Sequence, residues 1–443
     1  MKTTARLLPL LSALAFLCAC GGEPEGPSVV LVVIDTFRAD HVSFLGYGRP
    51  TTPVLDSLAM SGASWTEFRA QTSWTLPAFA SILTGLTPRE HMAGRRDGVF
   101  YGLDPALPTI QRIFGDAGYG TAAFLNVIFL DEDFGFHVGF DTFDCAGLSD
   151  RMSQRGAGET VDLFLSWLDG TGGGRPFLAV VHFYDPHMPY DPPAPYSGMF
   201  TDPAYQGPCD SAWGTVPQLL AVNRGVDSLP ADGLFNLIAL YDGEIAYSDA
   251  QLGRLLAGLR ERGLAGSTVV AVTGDHGEEF LEHGCIEHGV SLYDESVRVP
   301  LVISGPGVQP GSSAAPASQV DILPTLAALC GLESPPGRPG LDLFAAGGEP
   351  PDRRVFASGV LWRDADLASC TASGRKVIFD TGSGGSVTFD LMSDPGEVSP
   401  LVADSLLLSE ALTYWATPAA GAPAVVDFAE TVGRTLRDLG YIR

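Results

Sequence analysis

The sequence predicts an α/β fold: a mixed, mostly parallel sheet flanked by helices, followed by a smaller C-terminal α+β subdomain. Continuous apolar, largely β-branched runs recur at Ser28–Ile34, Phe177–Val181, Thr268–Thr273 and Val299–Ile303, as in strands covered on both faces. Segments of helical spacing lie between them. Leu252, Leu255, Leu256 and Leu259 mark a helix over Ala250–Arg262, and Phe235–Ser248 reads as a further helical stretch before it. Asp35 and Asp275-His276 stand just after two of the strands, at the end where parallel sheets bind ligands.

Taken from the N-terminus, residues 1–20 read as a targeting segment. Lys2 and Arg6 form a basic head, Leu7–Leu17 is an apolar run too short for a comfortable membrane span, and Leu17-Cys18-Ala19-Cys20-Gly21 closes it. This resembles a bacterial lipoprotein signal. The resemblance implies cleavage before Cys20, a lipid on its sulfur, and a protein anchored in the cell envelope on the periplasmic face of the outer membrane. The competing reading is an ordinary secretory signal that contains cysteines. Residues 21–27 then form a flexible tether, and residues 28–345 the main domain. A Gly/Pro-rich stretch over 330–352 leads into a C-terminal subdomain at 346–443, with strand-like runs at Lys376–Phe379 and Ser386–Leu391 and terminal helices.

The 443 residues carry a net charge of -26. Nucleic acid is disfavoured as a partner, because binding it needs a basic surface and no Lys/Arg-rich run supplies one. A small anionic ester is not disfavoured, since a bound cation reverses the local field. Past Cys20, the cysteines are Cys145, Cys209, Cys285, Cys330 and Cys370; none forms a CxxC pair, which speaks against a zinc-thiolate site. Their spacing selects no disulfide pairing and no oligomeric state.

Four segments carry the chemistry: Val33-Ile34-Asp35-Thr36-Phe37-Arg38-Ala39-Asp40; Ser73-Trp74-Thr75-Leu76-Pro77 entering a helix; Tyr184-Asp185-Pro186-His187-Met188-Pro189; and Gly274-Asp275-His276-Gly277-Glu278-Glu279 with His283 and His288 after it. Singly each has a bland reading. Asp35 can be a turn former, Thr75 a helix cap, and Asp275-His276 a turn. Together they make chemical sense. Asp35, Asp275 and His276 offer carboxylate and imidazole ligands suited to Ca²⁺, Mg²⁺, Mn²⁺ or Zn²⁺. A divalent metal activates the Thr75 hydroxyl as a nucleophile. His187 and His288 can neutralise the other oxygens of an anionic substrate or protonate its leaving group.

The order of these segments resembles the sulfatase family of the alkaline phosphatase superfamily. The resemblance extends through Ala117-Gly118-Tyr119-Gly120, Phe134-Gly135-Phe136-His137, Leu292-Tyr293-Asp294-Glu295 and Phe389-Asp390-Leu391. It implies an alkaline-phosphatase/sulfatase-like fold, metal ligation by Asp35, Asp275 and His276, Thr75 at the nucleophile position, and His187 and His288 as contacts to the substrate anion. This chain departs from the family in four respects, one being that the Lys-Trp-His segment is absent, replaced near Leu125-Asn126. Thr75 stands where sulfatases carry the Cys or Ser that becomes formylglycine, so no formylglycine is expected. Phe79 stands where a supporting Arg is usual, and Thr36 where a second Asp is usual. A sulfated Thr lacks the elimination route of a formylglycine hydrate, whereas a phosphorylated Thr is released by water. Phosphate or phosphonate esters are therefore expected ahead of sulfate esters. The alternative is a catalytically silent lipoprotein that binds anionic sugars or lipid head groups. A transferase is a third possibility.

Other polar residues have two readings each. Arg38 and Asp40 either touch the site or form a local salt link. Asp242 and Asp249 bind a second metal or serve structure. Glu278 and Glu279 lie near the metal or cap a turn, His283 is a second-metal ligand or a supporting residue, and Lys376 approaches the site or is an ordinary solvated lysine.

Overall fold

The computed structural model describes residues 25–146, 155–171, 174–345, 352–362, 366–422 and 424–426. Cys20 with its signal, most of the tether, and the C-terminal residues beyond 426 lie outside them.

An eight-stranded sheet runs in the order Gly311–Ser313, Ala63–Trp65, Leu301–Ser304, Thr268–Gly274, Ser28–Ile34, Phe177–Phe183, Gly120–Leu125, Thr142–Cys145. Ser28–Ile34 pairs in parallel with both neighbours, and parallel pairing continues out to Thr142–Cys145. Leu301–Ser304 runs antiparallel to its neighbours on either side, which makes the sheet mixed. All four apolar runs read from the sequence are strands; periodicity carried no direction, so the reversal of the last was not visible in it. The central strands are buried along their whole length. Val29, Leu31 and Val33 enter one apolar cluster while Val30, Val32 and Ile34 enter another, so the two-residue period sends alternate side chains to opposite faces.

The two helical stretches expected over 235–262 are one continuous helix, Ala231–Glu261. Asp249 breaks the apolar pattern without breaking the helix. Its carboxylate accepts from the Val54 and Leu55 amides, each at 2.8 Å, and so caps the start of the neighbouring helix Pro53–Ser61. No helix among the described residues is long and apolar enough to cross a membrane. Cys145, Cys209, Cys285, Cys330 and Cys370 are all free thiols.

The C-terminal part contains a four-stranded antiparallel sheet, Val355–Ser358, Leu367–Ala372, Arg375–Asp380 and Ser386–Asp390. Helix Ser405–Trp415 covers it through Leu407 and Ala411. Lys376 is fully buried and joins this sheet to the larger part, with Nζ 2.9 Å from Asp294 and 3.1 Å from Glu397. Asp294 also meets Arg69 at 2.8 Å. The lysine is thus a structural tie and does not reach the candidate site.

Candidate active site

Strand register builds the site. Ile34 is level with both Phe183 and Gly274 in the parallel sheet, so Asp35 and Asp275 leave it at the same edge. The Asp35 amide donates to the Phe183 carbonyl at 3.0 Å and the Asp275 amide to that of Ile34 at 3.2 Å, which extends the ladder one residue further. Asp35, Asp275 and His276 are fully buried, and each offers a ligand atom within 4.8 Å of the others. One oxygen of Asp275 accepts from the Thr36 and His276 amides at 3.1 and 2.7 Å, while its other oxygen and both oxygens of Asp35 have no hydrogen-bond donor. His276 Nδ1 donates to the Gly277 carbonyl at 2.9 Å, so Nε2 keeps its lone pair. That atom lies 3.5 Å from Asp35 and 3.3 Å from Asp275.

Buried carboxylate oxygens without donors are costly, and a divalent cation among them satisfies all at once. The titration directions agree with such a site. Burial, then the charge of Asp35, pushes Asp275 well above its ordinary value. Burial would raise Asp35 too, but His182, His187 and His276 together hold it far below the usual carboxylate range. Burial and then His288 depress His276 to about 3, which keeps it in the neutral, ligating form. The donor set fits a divalent metal on geometry and chemistry alike.

Thr75 is the first residue of helix Thr75–Thr84; the cap position belongs to Trp74, and no side chain caps it. The Thr75 hydroxyl is therefore free of capping and instead donates to His276 Nε2 at 3.2 Å. The first amides of the same helix, those of Thr75 and Leu76, have no acceptor within the helix, and amides of this kind favour an anion. His288 completes the group, its ring 4.6 Å from that of His276 and 4.9 Å from that of His187. His187 Nδ1 is held by the Tyr184 hydroxyl and the Met188 carbonyl, both at 2.7 Å, which leaves Nε2 for a ligand. Every residue singled out for the site from sequence, apart from the lipidation site Cys20, thus lies in this one constellation.

Two neighbours had no case from sequence or only a weak one. His182 is fully buried, has no hydrogen bond at either ring nitrogen, and lies 3.4 Å from Asp35. A histidine inside an otherwise apolar buried strand was the available signal. Glu278 is also fully buried, with Oε2 accepting from the Tyr190 hydroxyl at 3.1 Å and Oε1 facing His288 Nδ1 at 3.5 Å. It caps no turn; burial pushes it up to about 8.

The other polar residues are engaged elsewhere. Arg38 grips Asp40 with two hydrogen bonds, at 2.9 and 2.7 Å. Asp242 binds His41, Tyr47 and Arg49. Glu279 accepts from Ser291 and from the Cys285 amide. His283 pairs with Glu295 at 2.5 Å and stacks on Tyr293. Glu279, His283 and Glu295 are close enough to hold an ion, but both ring nitrogens of His283 are already bonded within the protein. Thr36, at φ 48°, donates its hydroxyl to the Pro186 carbonyl at 2.7 Å and adds no ligand to the metal set. Phe79 packs edge-on against His182, so no cation occupies that position.

Residues 27–332 match the family model described as Sulfatase. An arylsulfatase of Clostridium perfringens is 27% identical over 378 residues, which covers 72% of this chain and 77% of that protein. Human arylsulfatase K is 25% identical over 449 residues, covering 87% and 82%. Among solved structures, a 2-O GAG sulfatase superposes with a TM-score of 0.70 at 19% identity, over 88% of this chain and 91% of that one. The phosphonate monoester hydrolase of Agrobacterium radiobacter superposes with a TM-score of 0.66 at 23% identity, over 88% and 94%. The two structural likenesses speak for the fold.

Proposed function

The chain belongs to the sulfatase family and is an ester hydrolase, and from that premise we propose that it cleaves phosphate or phosphonate esters with Thr75 as the nucleophile. The observation that carries this reading is the Thr75 hydroxyl on His276 Nε2, beside carboxylate oxygens that have no donor. Asp35, Asp275 and His276 would hold a divalent cation, which lowers the pKa of a hydroxyl it touches and offsets the charge of an anionic ester.

The chain's own groups supply the rest. Thr75 Oγ attacks phosphorus as its proton passes to solvent, and backbone amides at the start of its helix can receive the non-bridging oxygens. His187, held through Nδ1, can present Nε2 to those oxygens. The bond to the leaving oxygen breaks, and His288 gives that oxygen a proton, with the Glu278 carboxyl 3.5 Å behind its Nδ1. Water then attacks the phosphorylated Thr75, and the threonine oxygen leaves and regains its proton. A sulfate ester on Thr75 would need attack at sulfur, which is why phosphorus is preferred.

The metal follows from the donor set. One nitrogen and two carboxylates, with Thr36 in place of a further carboxylate, favour Mn²⁺ or Zn²⁺ over Ca²⁺, which prefers a shell of oxygens. The test is a panel of aryl phosphate, phosphodiester, phosphonate and sulfate esters, each with Mn²⁺, Zn²⁺ or Ca²⁺, run beside Thr75→Ala. Phosphorus esters should turn over fastest. The variant should lose about a hundredfold or more while keeping its metal. Faster turnover of the sulfate ester would reject the substrate class, and no turnover of any ester by metal-loaded protein would favour a binding role.

A further inference from the structure

A pocket beside the nucleophile's helix is lined by Arg89 and Arg96, with Trp74, Pro77 and Trp415 among its walls. The Arg89 guanidinium lies 4.2 Å over the Trp415 ring, and that of Arg96 lies 4.0 Å over Tyr101. Arg96 Nη1 donates to the Met92 carbonyl at 2.7 Å, whereas Arg89 Nε and Arg96 Nη2 are buried without an acceptor. Asp366 shares the pocket, yet among the described residues neither arginine forms a salt bridge with it or with any other carboxylate. Asp366 attracts both arginines without reaching salt-bridge distance, so Arg89 Nε and Arg96 Nη2 stay without an acceptor at two half-buried cations. Burial lowers Arg96 from its ordinary value, and the nearby Arg89 adds to this against the pull of Tyr101 and Asp366.

Two chain segments link the pocket to the ester site. Trp74 precedes Thr75, and Pro77 lies about 3 Å further along the helix axis. Gly359 and Val360 line the pocket across from them, and the next residue, Leu361, donates its amide to the Gly289 carbonyl at 2.8 Å, directly after His288. Planar guanidinium forks stacked on aromatic rings are pre-oriented for a sulfate, phosphate or carboxylate.

We propose that this pocket is a second anion subsite, which binds an anionic group carried by the same substrate, so that the ester hydrolysed is polyanionic. The proposal rests on the hydrolytic reading above. The strongly negative surface repels polyanions in general, and the arginine pair gives a suitable one a local place to dock.

The test compares kcat/KM for two aryl esters with the same leaving group, one of them bearing an extra carboxylate or phosphate on the retained part. Wild type should prefer the charged ester by about tenfold or more, as expected for the loss of a charge-assisted hydrogen bond. The preference should fall towards unity in R89Q/R96Q and recover in part in R89K/R96K. An unchanged preference in R89Q/R96Q would overturn the proposal. So would competition by free inorganic sulfate that depends on the arginines while the preference does not. Calorimetric binding of sucrose octasulfate to metal-loaded Thr75→Ala protein separates the two readings. Arginine-dependent binding without any turnover in wild type would reject the hydrolytic reading and keep the subsite; arginine-independent binding would reject the subsite.

Discussion

Thr75 and Glu278 are held in opposite ways, and that difference assigns their work. The Thr75 hydroxyl bonds to His276 and lies beside the Asp275 carboxylate. Glu278 is locked by Tyr190 and reaches the site only through His288. It is therefore a positioning residue, and Glu278→Gln should matter most where the leaving oxygen needs a proton. Alkyl esters, with basic leaving groups, should slow about tenfold to a hundredfold, while nitrophenyl esters should change little. An equal loss for both would mean that Glu278 serves only the fold. At this scale the sequence was informative for residues whose type and spacing are rare together: Asp35, Thr75, His187, Asp275, His276 and His288. It was silent on His182, because one polar residue in a buried strand has many explanations until its neighbour Asp35 is known.

Among the elements, strands were easier to read than their arrangement. The apolar runs located the central strands, since burial on both faces removes alternation. Nothing in a run of valines states which way it points, so the antiparallel Leu301–Ser304 emerged only in the structure. Asp249 lies between the two helical stretches read from the sequence, Phe235–Ser248 and Ala250–Arg262, and one helix runs through it. Its carboxylate serves the amides of a different helix. Asp249→Ala should cost about 1–2 kcal/mol of stability, measured by denaturant unfolding, and leave the metal set intact. A change near zero would show that the cap carries no weight.

For the molecule as a whole, the tie between its two sheets depends on long-range charge that no local pattern encodes. Lys376 with Asp294 and Glu397, and His283 with Glu295 and the Glu397 carbonyl, bring the C-terminal sheet against the larger part. Burial alone would lower His283, but Glu295 overrides it and raises the imidazole to about 9. An unfolded histidine titrates near 6.5. The pair's contribution is therefore complete below about pH 6.5 and is lost as pH rises through 9. His283→Gln should melt below wild type at pH 6 and converge with it at high pH; a constant gap would contradict this. The family resemblance made the fold legible across most of the chain, yet the substrate class turns on the single Thr75 oxygen. The most direct measurement is an acid quench of metal-loaded enzyme during turnover of an aryl phosphate or phosphonate ester, followed by peptide mass analysis. The account predicts a phosphoryl or phosphonyl adduct on the peptide containing Thr75; hydrolysis that proceeds undiminished in Thr75→Ala, with no adduct on that peptide in wild type, would contradict it.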